Sequence, residues 1–110
     1  MTESEFQQQA EAVLHAIEMA LERAAENSTL DVECSRSGNV LEIEFIDSDS
    51  KVIVNSQAPM QEMWVAAKSG GFHYRREGAS WVNTRDGSEL FAALSRIASE
   101  QGGVPVQLSA

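Results

Sequence analysis

A chain of 110 residues and 12.0 kDa, 43% hydrophobic and 23% charged, has the size and composition of one globular domain, residues 1–110. No apolar run reaches the roughly 18 residues of a membrane span, and the acidic start Met1-Thr2-Glu3-Ser4-Glu5 lacks the basic opening of a signal or transit peptide, so a soluble cytoplasmic protein is expected. The net charge of −9 is lopsided: twelve acids against two bases precede Ser50, a net of −10, and five acids against six bases follow, a net of +1. Such a field disfavours nucleic acid, whose phosphates want a basic footprint, and favours cations and basic protein surfaces.

From about Ser4 to Ala25, Phe6, Ala10, Val13, Leu14, Ile17, Leu21 and Ala24 recur at steps of three and four, which predicts an amphipathic helix. Capping boxes are available at Thr2…Glu5 and Ser4…Gln7. Alternating runs follow. Leu30, Val32 and Cys34 predict one strand, Leu41, Ile43 and Phe45 a second, and Lys51 to Asn55 a third. After Pro59, Met63 to Ala67, Phe72 to Arg76 and Trp81 to Thr84 predict three more, with Trp81 in the core. Asp86-Gly87-Ser88 opens a second helix that runs to about Gln101 and stops at Gly102-Gly103, and the tail to Ala110 is extended. The short links favour antiparallel neighbours. An α+β two-layer sandwich is therefore expected, with terminal helices on one face of an antiparallel sheet of about six strands.

Two constellations stand out. Glu11, His15, Glu18 and Glu22 are spaced four, three and four on the first helix, opposite its apolar stripe, and Glu26 continues the row. Asp31 and Glu33 fall on the outward side of the following strand, so all of these carboxylates line one side of the domain if that strand returns along the helix. Only Arg23 interrupts the row. Carboxylate oxygens suit hard cations and His15 adds one nitrogen, but ligands on a regular helix cannot converge as a cage does, so binding should be weak, multi-site and hydrated. A merely solvated helix face is the plainer alternative.

The second constellation is on the sheet. If Met63 and Val65 face the core, Trp64 points outward near Asn55, with His73 and Arg75 also outward, a composition suited to a protein interface. Alternation alone equally allows Trp64 in the core. Enzyme signatures are missing: Gly70-Gly71 and Gly102-Gly103 are isolated pairs, His15 and His73 lie on separate elements, and Cys34 falls on an apolar alternation that predicts buried packing.

The run Asn55-Ser56-Gln57-Ala58-Pro59-Met60-Gln61-Glu62-Met63-Trp64-Val65-Ala66 resembles the signature N-x-Q-x-P-x-x-Q-[IV]-W-[LV]-[AS] of the frataxin family. It is followed by Lys68-Ser69-Gly70-Gly71-Phe72-His73-Tyr74, Trp81 and Arg85-Asp86-Gly87-Ser88-Glu89-Leu90, and with Ser4-Glu5-Phe6 and the acidic first helix the likeness to bacterial members covers nearly the whole chain. The resemblance implies a non-enzymatic iron-binding protein that regulates iron–sulfur cluster assembly and donates iron to it. In that role it docks on a cysteine desulfurase and its scaffold protein, away from nucleic acid and membrane, as a monomer able to form iron-dependent oligomers. A ferroxidase that stores iron in oligomers, or an acidic binding module without metal, are the rival expectations. Carried over by position, the resemblance places the acidic ridge at Glu18, Glu22, Asp31 and Glu33, with Glu11 and Glu26 as additions. It places the partner-binding sheet face at Asn55, Gln57 and an exposed Trp64, with His73 nearby. The candidate metal residues are thus Glu11, His15, Glu18, Glu22, Glu26, Asp31 and Glu33. Met19, Arg23, Ala25, Asn27 and Thr29 stand where bacterial relatives often carry further carboxylates, Gln7 where a histidine can occur, and Glu62 where glutamine is usual. Fewer or weaker iron sites are expected for that reason.

Overall fold

In the computed structural model, which describes residues 1–110, helix α1 spans Glu3–Glu26. Thr2 and Glu5 cap it reciprocally, each side chain accepting the other's backbone N–H at 3.1 Å, so the first of the two predicted boxes is the one that forms. Phe6, Ala10, Val13, Leu14, Ile17, Ala20 and Leu21 are its buried stripe. Six strands follow: β1 (Val32–Ser37), β2 (Val40–Phe45), β3 (Ser50–Gln57), β4 (Glu62–Ala67), β5 (Gly70–Glu77) and β6 (Ser80–Asn83). They form one antiparallel sheet in the order β1-β2-β3-β4-β5-β6, each strand pairing with its sequence neighbour, before helix α2 (Leu90–Gly102) closes the chain.

The core lies between the helices and one sheet face. Leu41, Ile43 and Phe45 of β2, Val52 and Val54 of β3, Met63 and Val65 of β4, Tyr74 of β5 and Trp81 of β6 all point into it. Trp81 is 3% exposed and meets Phe6 of α1 edge-on at 6.1 Å between ring centroids. Because side chains alternate, the register that buries Met63 and Val65 sends Trp64 to the other face, level with Asn55 on one side and His73 on the other. The helices leave this outer face uncovered.

Two boundaries differ from the sequence reading. The first strand starts at Val32 and extends through Arg36 to Ser37, because Leu30 is still part of the turn, its N–H bonded to the Ser28 hydroxyl at 3.1 Å. The second helix starts three residues later than the Asp86-Gly87-Ser88 signal suggests. Those residues form a turn around Asn83 Oδ1, which accepts from the Arg85 and Asp86 N–H groups, and the Glu89 carboxylate caps the Phe91 and Ala92 N–H groups instead. Beyond Gly103, whose φ of 75° ends α2, the extended tail docks Val106 and Leu108 into the core. Ser99 Oγ accepts from Val106 N and Ser95 Oγ from Leu108 N, each at 2.8 Å.

Candidate functional site

Helix α1 packs alongside β1, the first strand of the sheet. Along this flank Glu11, His15, Glu22 and Glu26 are exposed and Glu18 is half-buried, while Asp31 and Glu33 are exposed at the start of β1. The half-buried Cys34 registers how near the helix carboxylates come. Burial pushes its thiol up from 9.0 to about 11, and Glu18 and then Glu22 add to the rise. Cys34 is less buried than its alternation predicts because β1 has a strand neighbour on one side only. The acidic surface continues onto the outer face, where Glu33 lies directly opposite Glu44 and Glu42 is paired with Lys51 at 2.6 Å.

No three His, Cys, Asp or Glu side chains are grouped closely enough to enclose a metal ion, and His15 belongs to no such group. The flank therefore presents a row of separate oxygen donors, suited to hard cations that keep much of their water. One expectation needs correction: the row is not uncompensated. Arg36, on the helix-facing side of β1, donates from Nη1 to Glu18 Oε1 at 3.1 Å and from Nη2 to Glu11 Oε2. Its guanidinium is held above its ordinary value, burial opposing the charge and the two carboxylates outweighing burial. The reason is the two-residue period: Arg36 continues the inward series Val32, Cys34 at the end where the sheet meets the middle turns of α1, the third to the fifth. Glu22, Glu26, Asp31 and Glu33 have no ion-pair partner within the protein.

The outer sheet face carries the second cluster. Trp64 faces outward as the resemblance implies but is half-buried rather than exposed, because it stacks on His73 with ring centroids 4.2 Å apart and planes 6° from parallel. Its Nε1 donates to Glu62 Oε1 at 2.9 Å. Glu62 is only 5% exposed, and its other partners are Arg75 Nε at 3.2 Å and His73 Nδ1 at 3.5 Å. Asn55 lies opposite Trp64 and Gln57 opposite Glu62, so Asn55, Gln57, Trp64 and His73 form one contiguous patch. A buried carboxylate is tolerated because donors surround it. Those donors in turn lock the indole, giving a rigid aromatic surface with polar groups at its margin.

Sequence reasoning placed Arg75 outward beside Trp64 but missed Arg36 as a partner of the acidic row and the part played by Glu62. The signal for Glu62 was present, since a carboxylate two residues before an outward tryptophan shares its face and reaches its N–H. Arg36 could have been found by extending the alternation of β1 by one more step.

The fold and its two surfaces define a class: a compact α+β domain with an acidic helix flank and an aromatic patch on the uncovered sheet face. A family model described as a frataxin-like domain matches residues 1–104. The chain is 71% identical over 108 residues to the iron-sulfur cluster assembly protein CyaY of Janthinobacterium sp. (strain Marseille), covering 98% of this chain and 96% of that one. It superposes on the frataxin of Psychromonas ingrahamii with a TM-score of 0.89 at 30% identity, covering 100% of both chains. A trimeric frataxin from the yeast Saccharomyces cerevisiae, solved as a ferrous complex, shares the fold with a TM-score of 0.73 at 22% identity, over 86% of this chain and 85% of that one. The chain belongs to the frataxin family, and within it to the bacterial CyaY type.

Proposed function

We propose that this protein is a non-enzymatic regulator of iron–sulfur cluster assembly in the cytoplasm that carries iron as cargo. Its acidic flank, the candidate residues Glu11, His15, Glu18, Glu22, Glu26, Asp31 and Glu33, holds iron(II) or iron(III) loosely. The same flank, through Glu18, Glu22, Asp31 and Glu33, meets a basic surface of a cysteine desulfurase. The patch of Asn55, Gln57, Trp64 and His73 contacts the scaffold protein on which clusters are built. The observation that carries this reading is the set of carboxylates Glu22, Glu26, Asp31 and Glu33, left without internal partners along one side of a chain of net charge −9. Oxygen donors in a row match hydrated iron, and their summed field matches a positively charged partner. The family membership and the name of the Janthinobacterium relative support the same pathway.

Binding to the desulfurase should weaken steeply between low and physiological salt, and Glu22→Lys with Glu33→Lys should weaken it further by slowing association. Affinity indifferent to both salt and charge reversal refutes flank docking. The lack of any grouped ligand set favours, as a second reading, a protein-binding module without a metal role. An iron titration followed by NMR separates the two, since that module shows no perturbation between residues 18 and 33.

A further inference from the structure

Arg36 is the one cation that reaches into the acidic row from the sheet. Its side chain is 21% exposed and bridges Glu18, 24% exposed, and Glu11, 65% exposed, which lie nearly two helical turns apart. It has a third anchor that owes nothing to the carboxylates: Nε and Nη2 also donate to the Gly38 carbonyl, at 3.3 and 3.1 Å. The hairpin thus holds the guanidinium at the rim of the flank whether or not Glu11 and Glu18 accept from it. Further along, Glu22, Glu26, Asp31 and Glu33 have no such neighbour. The flank is therefore divided into a half with its own counter-ion and a half without one.

We propose that Arg36 is a built-in competitor that reserves Glu11 and Glu18, so that external cations first occupy the Glu22–Glu33 half and reach the Glu11 half only by displacing it. This rests on the proposed cation-binding role of the flank and adds its regulation. A guanidinium that is itself largely buried, giving one charge-assisted hydrogen bond to each of two carboxylates, is held more strongly and is less screened than a hydrated ion beside one exposed carboxylate. A basic partner presenting its own arginines can exchange for Arg36 on equal chemical terms, whereas a hydrated metal cannot. The Gly38 carbonyl receives the released guanidinium, which lowers the penalty of that exchange. Arg36 accordingly biases the flank toward protein ligands at its first turns and toward metal at its last.

The test uses manganese(II) alone as a paramagnetic hard cation, titrated into the wild-type protein and Arg36→Gln and followed by broadening of amide NMR signals. Glu11 and Glu22 are separated by about 16 Å along the helix, far enough for the two halves to be read separately. In the wild type, broadening should be strong for residues 22–33 and weak for residues 8–13. In Arg36→Gln, residues 8–13 should broaden as strongly, with manganese affinity raised at least threefold. Equal broadening of both halves in the wild type, or an unchanged pattern in Arg36→Gln, overturns the proposal. No broadening of residues 22–33 in either protein refutes the cation-binding role instead, while residues 8–13 of Arg36→Gln still answer for Arg36. Should Arg36→Gln fail to fold, Arg36→Lys serves. One ammonium cannot span both carboxylates, so it must show intermediate broadening of residues 8–13, and wild-type behaviour overturns the proposal.

Discussion

Cys34 offers a direct measure of the field along the acidic flank. Its thiol is raised from 9.0 to about 11, first by burial and then by Glu18 and Glu22. Below pH 9 such a rise leaves about a hundredfold less thiolate than an ordinary cysteine has. The thiolate that does form is intrinsically more nucleophilic, by roughly sevenfold for a Brønsted slope near 0.4–0.5. Alkylation at pH 7.5 should therefore run about tenfold slower than for an unhindered cysteine peptide, before any further loss from restricted access. The shape of the profile is the sharper test. Between pH 7 and 10 the iodoacetamide rate should climb about tenfold per pH unit without levelling, whereas an unperturbed thiol levels off above about pH 9. Glu18→Gln and Glu22→Gln should each speed the reaction at pH 7.5, and a divalent cation at low ionic strength should do so in the wild type. A plateau near pH 9, or rates unmoved by either substitution, would show that the helix carboxylates do not face this strand and would remove the geometric basis of the flank.

Three further outcomes follow from single contacts. Trp64→Phe keeps an aromatic ring on His73 but removes the N–H that satisfies Glu62, and should lower unfolding free energy by about 1–3 kcal/mol in urea titrations. Trp64→Ala should still fold while weakening scaffold binding by more than Trp64→Phe does, and loss of the fold would place Trp64 among the core residues. Ser95→Ala strips the buried Leu108 N–H of its acceptor and should cost about 1–3 kcal/mol, with faster hydrogen exchange at Leu108; unchanged exchange would mean that apolar contacts alone hold the tail. Glu5 and Asp86 are both held below their ordinary values, Glu5 by its hydrogen bonds with Thr2 and Asp86 by those with Ser88. A depressed carboxylate stabilises the folded state above its unfolded pKa, and that contribution is lost as pH falls through the folded one. Stability should therefore decline below about pH 4, and Glu5→Gln, which removes the titrating carboxylate of the capping box, should flatten the decline; an identical acid profile would show that Glu5 contributes nothing to it.

The layered architecture and the composition of the core were legible because periodicity and burial share a cause: Val13, Ile17 and Leu21 on α1, or Ile43 and Phe45 on β2, can satisfy their apolar side chains in one way only. Trp64 was not legible from alternation, since either face could have taken it, and what decides the matter is the joint burial of Met63 and Val65 against the helices. The family resemblance pointed to the same side. The start of α2 was misplaced because Asp86-Gly87-Ser88 is chemically as good an N-terminus as a turn, and the tertiary anchor at Asn83 selects the turn. Arg36 escaped notice for a different reason. A charge count along the sequence records which bases lie near the acids in the chain, and Arg36 reaches Glu11 across 25 positions, which only the packing of strand on helix can bring together.

The six strands leave two unpaired borders, and they are guarded differently. At β6, Glu89 adds an isolated bridge to Val82, so part of that border is already filled by backbone. At β1 no further strand pairs, and the exposed carboxylates of Asp31 and Glu33 beside its open hydrogen-bonding groups disfavour addition of the same strand from a second molecule. A defence of that kind is only as strong as the ionic conditions allow. A multivalent cation that neutralised those side chains would also lower the barrier to strand addition between molecules, which would tie any loading of the flank to self-association through the geometry of a single strand.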